Sequence, residues 1–214
     1  MKTNFIELPK SQLDNKRRLP SRSTSVRLVI AFILSAMLSC NDADETNPDS
    51  PQYHIAESEK LVIPVEVDLP GSGNTRIATY YASGVQIYNA RQKAESNPPV
   101  YEWVFASPSA ILLNETNEQV GTHFAGPSWQ LDAGDRINGQ QFTPAKTKSV
   151  DPNSIDWLLL MPKAGSTPTG IFKDVNYIQR IATTGGKAPT TPPASASETI
   201  GVEYTAVYRF TKGN

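Results

Sequence analysis

The residue best suited to chemistry in this sequence is His123, which stands in the segment Gly-Thr-His-Phe-Ala-Gly-Pro-Ser-Trp. The other histidine, His54, lies outside the segment that we expect to fold. A histidine can act as a general base when a hydroxyl or a carboxylate lies beside it. The residues that could meet it in space, although no spacing requires this, are Thr122, Ser128, Asp132, Asp135 and Asp156. The sequence favours a structural, hydrogen-bonded His123 over a catalytic one.

Motifs that would identify a catalytic or metal centre are missing from the sequence. No G-x-S-x-G elbow, no H-E-x-x-H and no pair of histidines at metal-ligand spacing occurs. The glycines at 71 and 73 fit a turn between strands and do not open a helix, so they do not form a dinucleotide-binding loop. We accordingly predict no metal and no cofactor.

Aromatic side chains are the second group of candidates, because a set of them on one surface could stack against sugar rings. Aromatic residues at alternating strand positions are more often core residues, and Trp129 is the strongest candidate because it lies beside the turn that follows His123. Gln179 and Arg180 are adjacent on a predicted strand, so they point to opposite faces and at most one can join such a site. The ligand-binding candidates are His123, Trp129, Trp103, Tyr80, Tyr88, Gln179 and Arg180.

The elements that must position these residues are predicted to be strands. Short apolar or alternating runs separated by Gly, Pro, Asn and Asp are typical of strands and turns, and no long run has a helical period. The predicted strands are 61–67, 75–82, 84–90, 100–106, 109–114, 118–124, 127–131, 136–142, 155–161, 169–175, 177–183 and 200–211. Their spacing indicates an all-β domain, either an antiparallel β-sandwich or a barrel.

Three local patterns refine this prediction. The last strand alternates between an apolar face that runs from Val202 to Phe210 and a polar face, so one side should be buried. The run Leu158-Leu159-Leu160-Met161 should be covered on both faces, and Pro64 should place the first run at a sheet edge or a bulge. The segment 185–199 is rich in Pro, Ser, Thr and Ala and should form a long loop.

The N-terminal region has the layout of an export signal. Residues 1–39 carry a net charge of +5 and end in the apolar run 28–38, which is too short for a membrane span. The chain's single cysteine, Cys40, follows directly, and Met-Leu-Ser-Cys resembles a lipobox, in which such a cysteine receives a lipid. We predict a signal peptide over 1–39, a disordered acidic tether over 40–57 and a folded domain over 58–214. Cleavage that leaves Cys40 free is the alternative.

Composition excludes several functional classes. The 20 Lys and Arg residues nearly balance the 21 Asp and Glu residues, and residues 40–214 alone carry a net charge of −6. A nucleic-acid-binding protein that acts through bulk positive charge is therefore excluded, and one cysteine cannot form a disulfide scaffold. The acidic run after Cys40 also resembles a signal for the outer face of a bacterial outer membrane, although it could equally be a solubilising linker.

Several segments of the folded region carry a family resemblance: 80–88 (YYASGVQIY), 101–106 (YEWVFA), 121–129 (GTHFAGPSW), 157–160 (WLLL), and 177–180 (YIQR) with Gly185-Gly186. With these segments in this order, the sequence resembles domain-of-unknown-function family 3455, a group of exported proteins. The resemblance implies an all-β fold and no established activity. In the family pattern, cysteines stand at the positions of Ala90 and about Pro193, so the resemblance implies that the 185–199 loop lacks a disulfide worth about 2–4 kcal/mol.

These observations predict a cell-envelope lipoprotein that is anchored through a lipid at Cys40 to the bacterial outer membrane. The absence of catalytic motifs favours a non-catalytic binding or structural module for a glycan or a protein partner. The alternative is an envelope enzyme with a pocket around His123 and Trp129.

Overall fold

The strands follow one another in chain order around a closed barrel in the computed structural model, which describes residues 47–214. The elements are helix α1 (Pro51–Ser58), strands β1 (Thr75–Gln92), β2 (Tyr101–Leu113), β3 (Gln119–Phe124), β4 (Ser128–Leu131), β5 (Arg136–Lys148) and β6 (Trp157–Pro162), a 3-10 helix (Gly170–Phe172), and strands β7 (Tyr177–Gly185) and β8 (Thr199–Lys212). Every pairing is antiparallel, and β1 pairs with both β2 and β8. The all-β prediction is confirmed, and the sheet takes the barrel form, which leaves no open edge.

Alternation along the strands fills the barrel interior with apolar side chains. On β8 the predicted buried face is confirmed, since Tyr204, Ala206, Tyr208 and Phe210 all belong to the interior core. The 3-10 helix contributes Phe172, which is fully buried and lies 4.8 Å from the Phe210 ring centre to centre. One part of the interior is therefore closed by tight aromatic packing.

A second core lies on the outer face of the barrel, beneath an N-terminal strap that we define as residues 51–69. Polar contacts hold the strap in place: Gln179 Nε2 donates to the Val67 carbonyl at 2.9 Å, and Arg209 Nη2 donates to the Ser58 carbonyl at 2.7 Å. The polar face predicted for β8 is thus covered over part of its length. The buried residues of this outer core are Ile55, Val67, Tyr81, Trp157, Leu159, Ile181 and Val207.

The strap corrects the predicted start of the ordered domain, because helix α1 occupies residues that the sequence analysis assigned to the tether. The Ser50 hydroxyl accepts a hydrogen bond from the Tyr53 amide at 3.1 Å and caps the helix, and Pro51 stands at its first position. Ile55 and Ser58 of the helix are buried. Order therefore begins before residue 58.

Several predicted strand boundaries were also wrong. The runs 75–82 and 84–90 form the single strand β1, and 100–106 and 109–114 form β2, since neither Gly84 nor Pro108 interrupts the pairing. The run 61–67 is not a strand: the Val67 amide donates to the Pro64 carbonyl at 3.0 Å in a turn. The run 169–175 contains the 3-10 helix. The double covering predicted for 158–161 is confirmed, with Leu159 under the strap and Leu160 in the interior.

Candidate functional site

His123 and Trp129 are direct neighbours across the β3–β4 hairpin. The hairpin turns at Gly126, whose φ is 135°, and its register places His123 opposite Trp129. The two rings stack with their centroids 4.5 Å apart and an interplanar angle of 11°. Tyr208 approaches the same imidazole at 4.8 Å. The hairpin thus brings two of the predicted site residues together inside the barrel.

Gly139 of β5 makes room for the Trp129 indole. A Cβ atom at position 139 would lie 3.0 Å from Cζ3 of the Trp129 ring, which is closer than side chains normally pack. Trp129 is fully buried, at 0% exposure, and its Nε1 has no hydrogen-bond partner within residues 47–214. The indole therefore forms part of the interior and not part of a surface platform.

His123 is held as a neutral imidazole. Its Nδ1 lies 2.8 Å from the Ser128 carbonyl oxygen, which can only accept, so Nδ1 carries the proton. Burial lowers the pKa of His123 to about 3, Arg180 adds repulsion, and the Ser128 carbonyl opposes both effects. The other ring nitrogen, Nε2, is consequently an unprotonated acceptor at neutral pH.

None of the hydroxyls and carboxylates that could have assisted His123 makes a hydrogen bond with its ring among residues 47–214. Ser128 Oγ donates to Asn138 Oδ1 at 2.8 Å, and the Asp135 carboxylate accepts the Ile171 amide at 3.1 Å. The remaining candidates, Thr122, Asp132 and Asp156, likewise make no hydrogen bond with the ring in this range.

Beside His123 the barrel interior opens into a cavity with two connected chambers, which we call the lumen. The inner chamber has a volume of about 250 Å³ and reaches His123, Trp129 and Tyr208. The outer chamber has a volume of about 500 Å³ and reaches Tyr88 and Lys187. Five residues line both chambers: Gln86, Phe105, Gln141, Leu158 and Arg180.

Arg180 faces this lumen, whereas its neighbour Gln179 lies under the strap, as their alternation on β7 requires. The guanidinium is oriented by the Asp156 carbonyl, which accepts from Nε at 3.0 Å and from Nη2 at 2.7 Å. It also lies close enough to the Tyr208 hydroxyl to lower the pKa of that group, against the larger, raising effect of burial. No carboxylate of the described residues forms an ion pair with Arg180.

Gln86 is the second polar residue that the fold turns into the lumen. Its side chain is 2% exposed, and its Nε2 has no acceptor among residues 47–214. The neighbouring Tyr204 hydroxyl makes no hydrogen bond of good geometry within residues 47–214; burial raises its pKa, and the nearby Gln86 amide opposes this effect. A buried donor without a partner costs free energy, so such groups call for an explanation.

The remaining aromatic candidates do not form one surface. Tyr88 lines the outer chamber and donates to the Gly186 carbonyl at 2.6 Å, and Trp103 Nε1 donates to the Thr191 carbonyl at 2.9 Å. These bonds hold the 185–199 loop, in which Pro193 is buried. Tyr80 packs elsewhere, 6.0 Å from Phe210, and burial raises its pKa.

Among the residues that line the lumen, those that sequence reasoning did not name as site candidates include Gln86, Phe105, Gln141 and Tyr208. For Tyr208 the signal was present, because it lies on the apolar face predicted for the last strand. Gln86 gave a contrary signal, since it is flanked by Val85 and Ile87 and a polar residue between two apolar ones is usually placed facing outward.

The predicted lipid-attachment residue Cys40, the signal peptide and the first part of the tether lie outside the described residues. Within 47–214, no helix is long and apolar enough to cross a membrane. The same range contains no group of three or more His, Cys, Asp or Glu side chains that could hold a metal ion.

Of three comparisons with known proteins, one identifies a family and two find no match. No curated protein and no solved structure matches the chain. One family model, described as "Protein of unknown function (DUF3455)", matches residues 70–212, which span the whole barrel from β1 to β8. The match excludes the strap helix and covers well over half of the chain. The chain therefore belongs to the DUF3455 family of proteins of unknown function.

Proposed function

We propose that this protein is a cell-envelope lipoprotein whose barrel binds a small molecule in the lumen without changing it chemically. The envelope address is supported by the basic and apolar signal that precedes the chain's single cysteine. In this proposal, the lipid on Cys40 holds the protein at the membrane and the barrel presents its open chamber outside the bilayer.

The observation that carries the binding proposal is the lumen itself, whose wall includes Arg180 without an ion-pair partner within residues 47–214, and Gln86, whose Nε2 makes no hydrogen bond of good geometry in the same range. Burying a polar group without a partner costs about 1–3 kcal/mol. An apolar residue at position 86 would avoid that cost. Nε2 has almost no exposed surface in this structure, so a ligand acceptor would supply its missing partner after the Gln86 side chain rotates towards the chamber.

The size of the lumen supports a small ligand. A cavity of about 150 Å³ is enough to take up benzene, so the inner chamber of about 250 Å³ has room for one ring and a short substituent. The outer chamber leaves a route to solvent past Lys187, which is exposed. Since the predicted aromatic residues share no surface, the proposal narrows from a glycan or protein partner to a molecule of this size.

The state of His123 supports binding over catalysis. A general base works best when its pKa lies near the working pH, and the pKa of His123 is lowered to about 3. Its ring is also fixed by the Ser128 carbonyl and not by an acid. An activity that His123→Asn abolishes would contradict this part of the proposal.

A lumen-filling variant tests the binding proposal. Leu158 lines both chambers, so Leu158→Trp would fill the lumen, and Met161→Trp places the same ring on the outer face of the same strand. Full-length protein in detergent is screened with one-ring neutral, cationic and anionic compounds by thermal unfolding and calorimetry. We expect at least one compound to raise the midpoint of the wild type and of Met161→Trp, but not of Leu158→Trp. Binding by none, or equal binding by all three proteins, contradicts the proposal.

The lipid address is tested separately by incorporation of labelled palmitate in the native host. We expect the wild-type protein to incorporate the label and Cys40→Ala to incorporate none. Equal labelling of both proteins would contradict lipidation at Cys40 and leave the binding proposal untouched.

A further inference from the structure

We infer that the lumen ligand is a small organic carboxylate with a ring-sized apolar body, and that Arg180 binds its carboxylate. This inference rests on the proposed function and adds the chemical class of the ligand.

The first support is the charge of the lumen. Arg180 is the charged residue among those that line the inner chamber, and no carboxylate of residues 47–214 pairs with it. In the outer chamber, Asp156 and Lys187 carry opposite charges. A partly buried cation without an anion is costly, so an anionic ligand gains the interaction that the protein does not supply.

The second support is the way in which Arg180 is held. Its Nε and Nη2 both donate to a single acceptor, the Asp156 carbonyl, which orients the guanidinium and leaves further N–H groups available. An arginine presented in this way can donate to a carboxylate through charge-assisted hydrogen bonds. A backbone carbonyl orients the cation without neutralising it, whereas an aspartate side chain would have done both.

The third support is a further donor beside the same chamber. Gln86 Nε2 is an N–H donor without an acceptor in good geometry among the described residues, and a rotation of this side chain, which lines the inner chamber, would bring the donor to it. An oxyanion offers several lone pairs to such a donor. His123 faces the chamber as a neutral ring, so it adds no second positive charge.

The walls indicate what the carboxylate is attached to. Phe105, Leu158, Leu160 and the rings of Trp129 and Tyr208 line the inner chamber, so the remainder of the ligand should be apolar. One cation in an apolar chamber matches one negative charge, which favours a monocarboxylate over a phosphate dianion.

The test uses three probes of nearly equal shape: trans-cinnamate, its neutral amide and cinnamylamine. Calorimetry on full-length protein measures their binding to the wild type, Arg180→Met, Arg180→Lys and the control Arg136→Met. Arg136 is an exposed arginine on the outer face, so its variant changes the net charge equally without touching the lumen. Leu158→Trp reports whether binding occurs in the lumen, and circular dichroism confirms that each variant is folded.

We expect the wild type and Arg136→Met to bind cinnamate at least about tenfold more tightly than the amide, which corresponds to about 1.4 kcal/mol. Arg180→Met should lose this preference while its affinity for the amide stays unchanged, and Arg180→Lys should retain part of it. If Arg180→Met does not fold, the lysine variant and the wild-type probe ranking still decide the question.

Two outcomes overturn the inference in distinguishable ways. If the amide or the amine binds the wild type as tightly as cinnamate, and Leu158→Trp abolishes that binding, the lumen binds small molecules but the anion assignment is wrong. If none of the probes binds the wild type, or if Leu158→Trp leaves binding unchanged, the anion assignment and the proposed function fail together.

Discussion

Buried polar side chains differ between two regions of the barrel. On the outer face, beneath the strap, most of them have hydrogen-bond partners in the protein, whereas in the lumen important ones do not. Under the strap, Gln179 donates to the Val67 carbonyl, and Arg209 contacts both the Ser58 carbonyl and the Glu59 carboxylate. In the lumen, the Gln86 Nε2 atom has no acceptor in good geometry and Arg180 has no carboxylate partner among residues 47–214.

The contrast is one of degree, because Arg209 Nε and Thr211 Oγ1 on the outer face also lack partners in the described chain. These two atoms belong to residues that do not line the lumen. The same barrel wall therefore has two kinds of polar group. Those on its outer face hold the strap in place, and those on its lumen face are available to a ligand. Natural proteins commonly accept lower stability at such sites.

The largest expected difference between the two faces concerns adjacent leucines on β6. Leu159 is fully buried under the strap, so Leu159→Ala should lower the free energy of unfolding by about 2–5 kcal/mol. Leu158 already borders the cavity, and Leu158→Ala should cost about 1 kcal/mol or less because little packing is lost. Denaturant unfolding measures both values. Equal losses would show that the lumen is packed as tightly as the outer core.

The second expected effect is a dependence of stability on pH through His123. The pKa in the folded protein is about 3, below the usual 6.5, so the unfolded chain binds the proton more tightly. Stability should therefore be complete above about pH 6.5 and decrease as the pH falls, by about 2–3 kcal/mol between pH 7 and 4.5. Unfolding of the wild type is compared with that of His123→Asn, whose amide can still donate to the Ser128 carbonyl.

The asparagine variant should lack this part of the pH dependence. The pKa of His54 is also lowered by burial, but His54 is present in both proteins and its contribution cancels in the difference. Identical slopes for the two proteins would contradict a buried, neutral His123.

A smaller effect is expected at Gln179, which links β7 to the strap. Gln179→Leu keeps the size of the side chain but leaves the Val67 carbonyl without its donor, so we expect a loss of about 1–3 kcal/mol. Limited proteolysis should then cut the strap sooner than in the wild type. An unchanged unfolding midpoint together with unchanged cleavage would show that the strap is held by apolar contacts alone.

The smallest expected effect is at Gln86, the counterpart of Gln179 in the lumen. Gln86→Leu removes an amide that has no acceptor in the described chain, so the unfolding free energy should stay within about 0.5 kcal/mol of the wild type or rise. The same variant should weaken ligand binding in the screen. A loss of stability as large as that of Gln179→Leu would remove the distinction between the two faces.

Part of the candidate site could be predicted from short-range pattern. The pairing of His123 with Trp129 follows from a short hairpin, because residues on either side of one turn must meet. The opposite orientation of Gln179 and Arg180 follows from the alternation of a strand. The alternation of the last strand likewise predicts that Tyr208 is buried, although it does not predict that Tyr208 lines a cavity.

The remaining features of the site could not be predicted from local pattern, because they depend on the closure of the barrel. In Val85-Gln86-Ile87 the pattern favours placing the two apolar residues inside, yet both are half-buried on the outer face and Gln86 lines the lumen. The pattern shows which residues share a face but not which face turns inward. The strap makes the inner face harder to identify from sequence, because the outer face that it covers is apolar as well.

The sequence by itself determined the all-β class, the family and most of the strands, since each depends on residues close together in the chain, and it is the basis of the export address that we propose. Only the tertiary structure decided that the sheet closes, that the strap covers Gln179, and that Gln86 and Arg180 from distant strands share one cavity. The physical reason is that alternation is local, whereas the inside of a barrel exists only once the first strand pairs with the last.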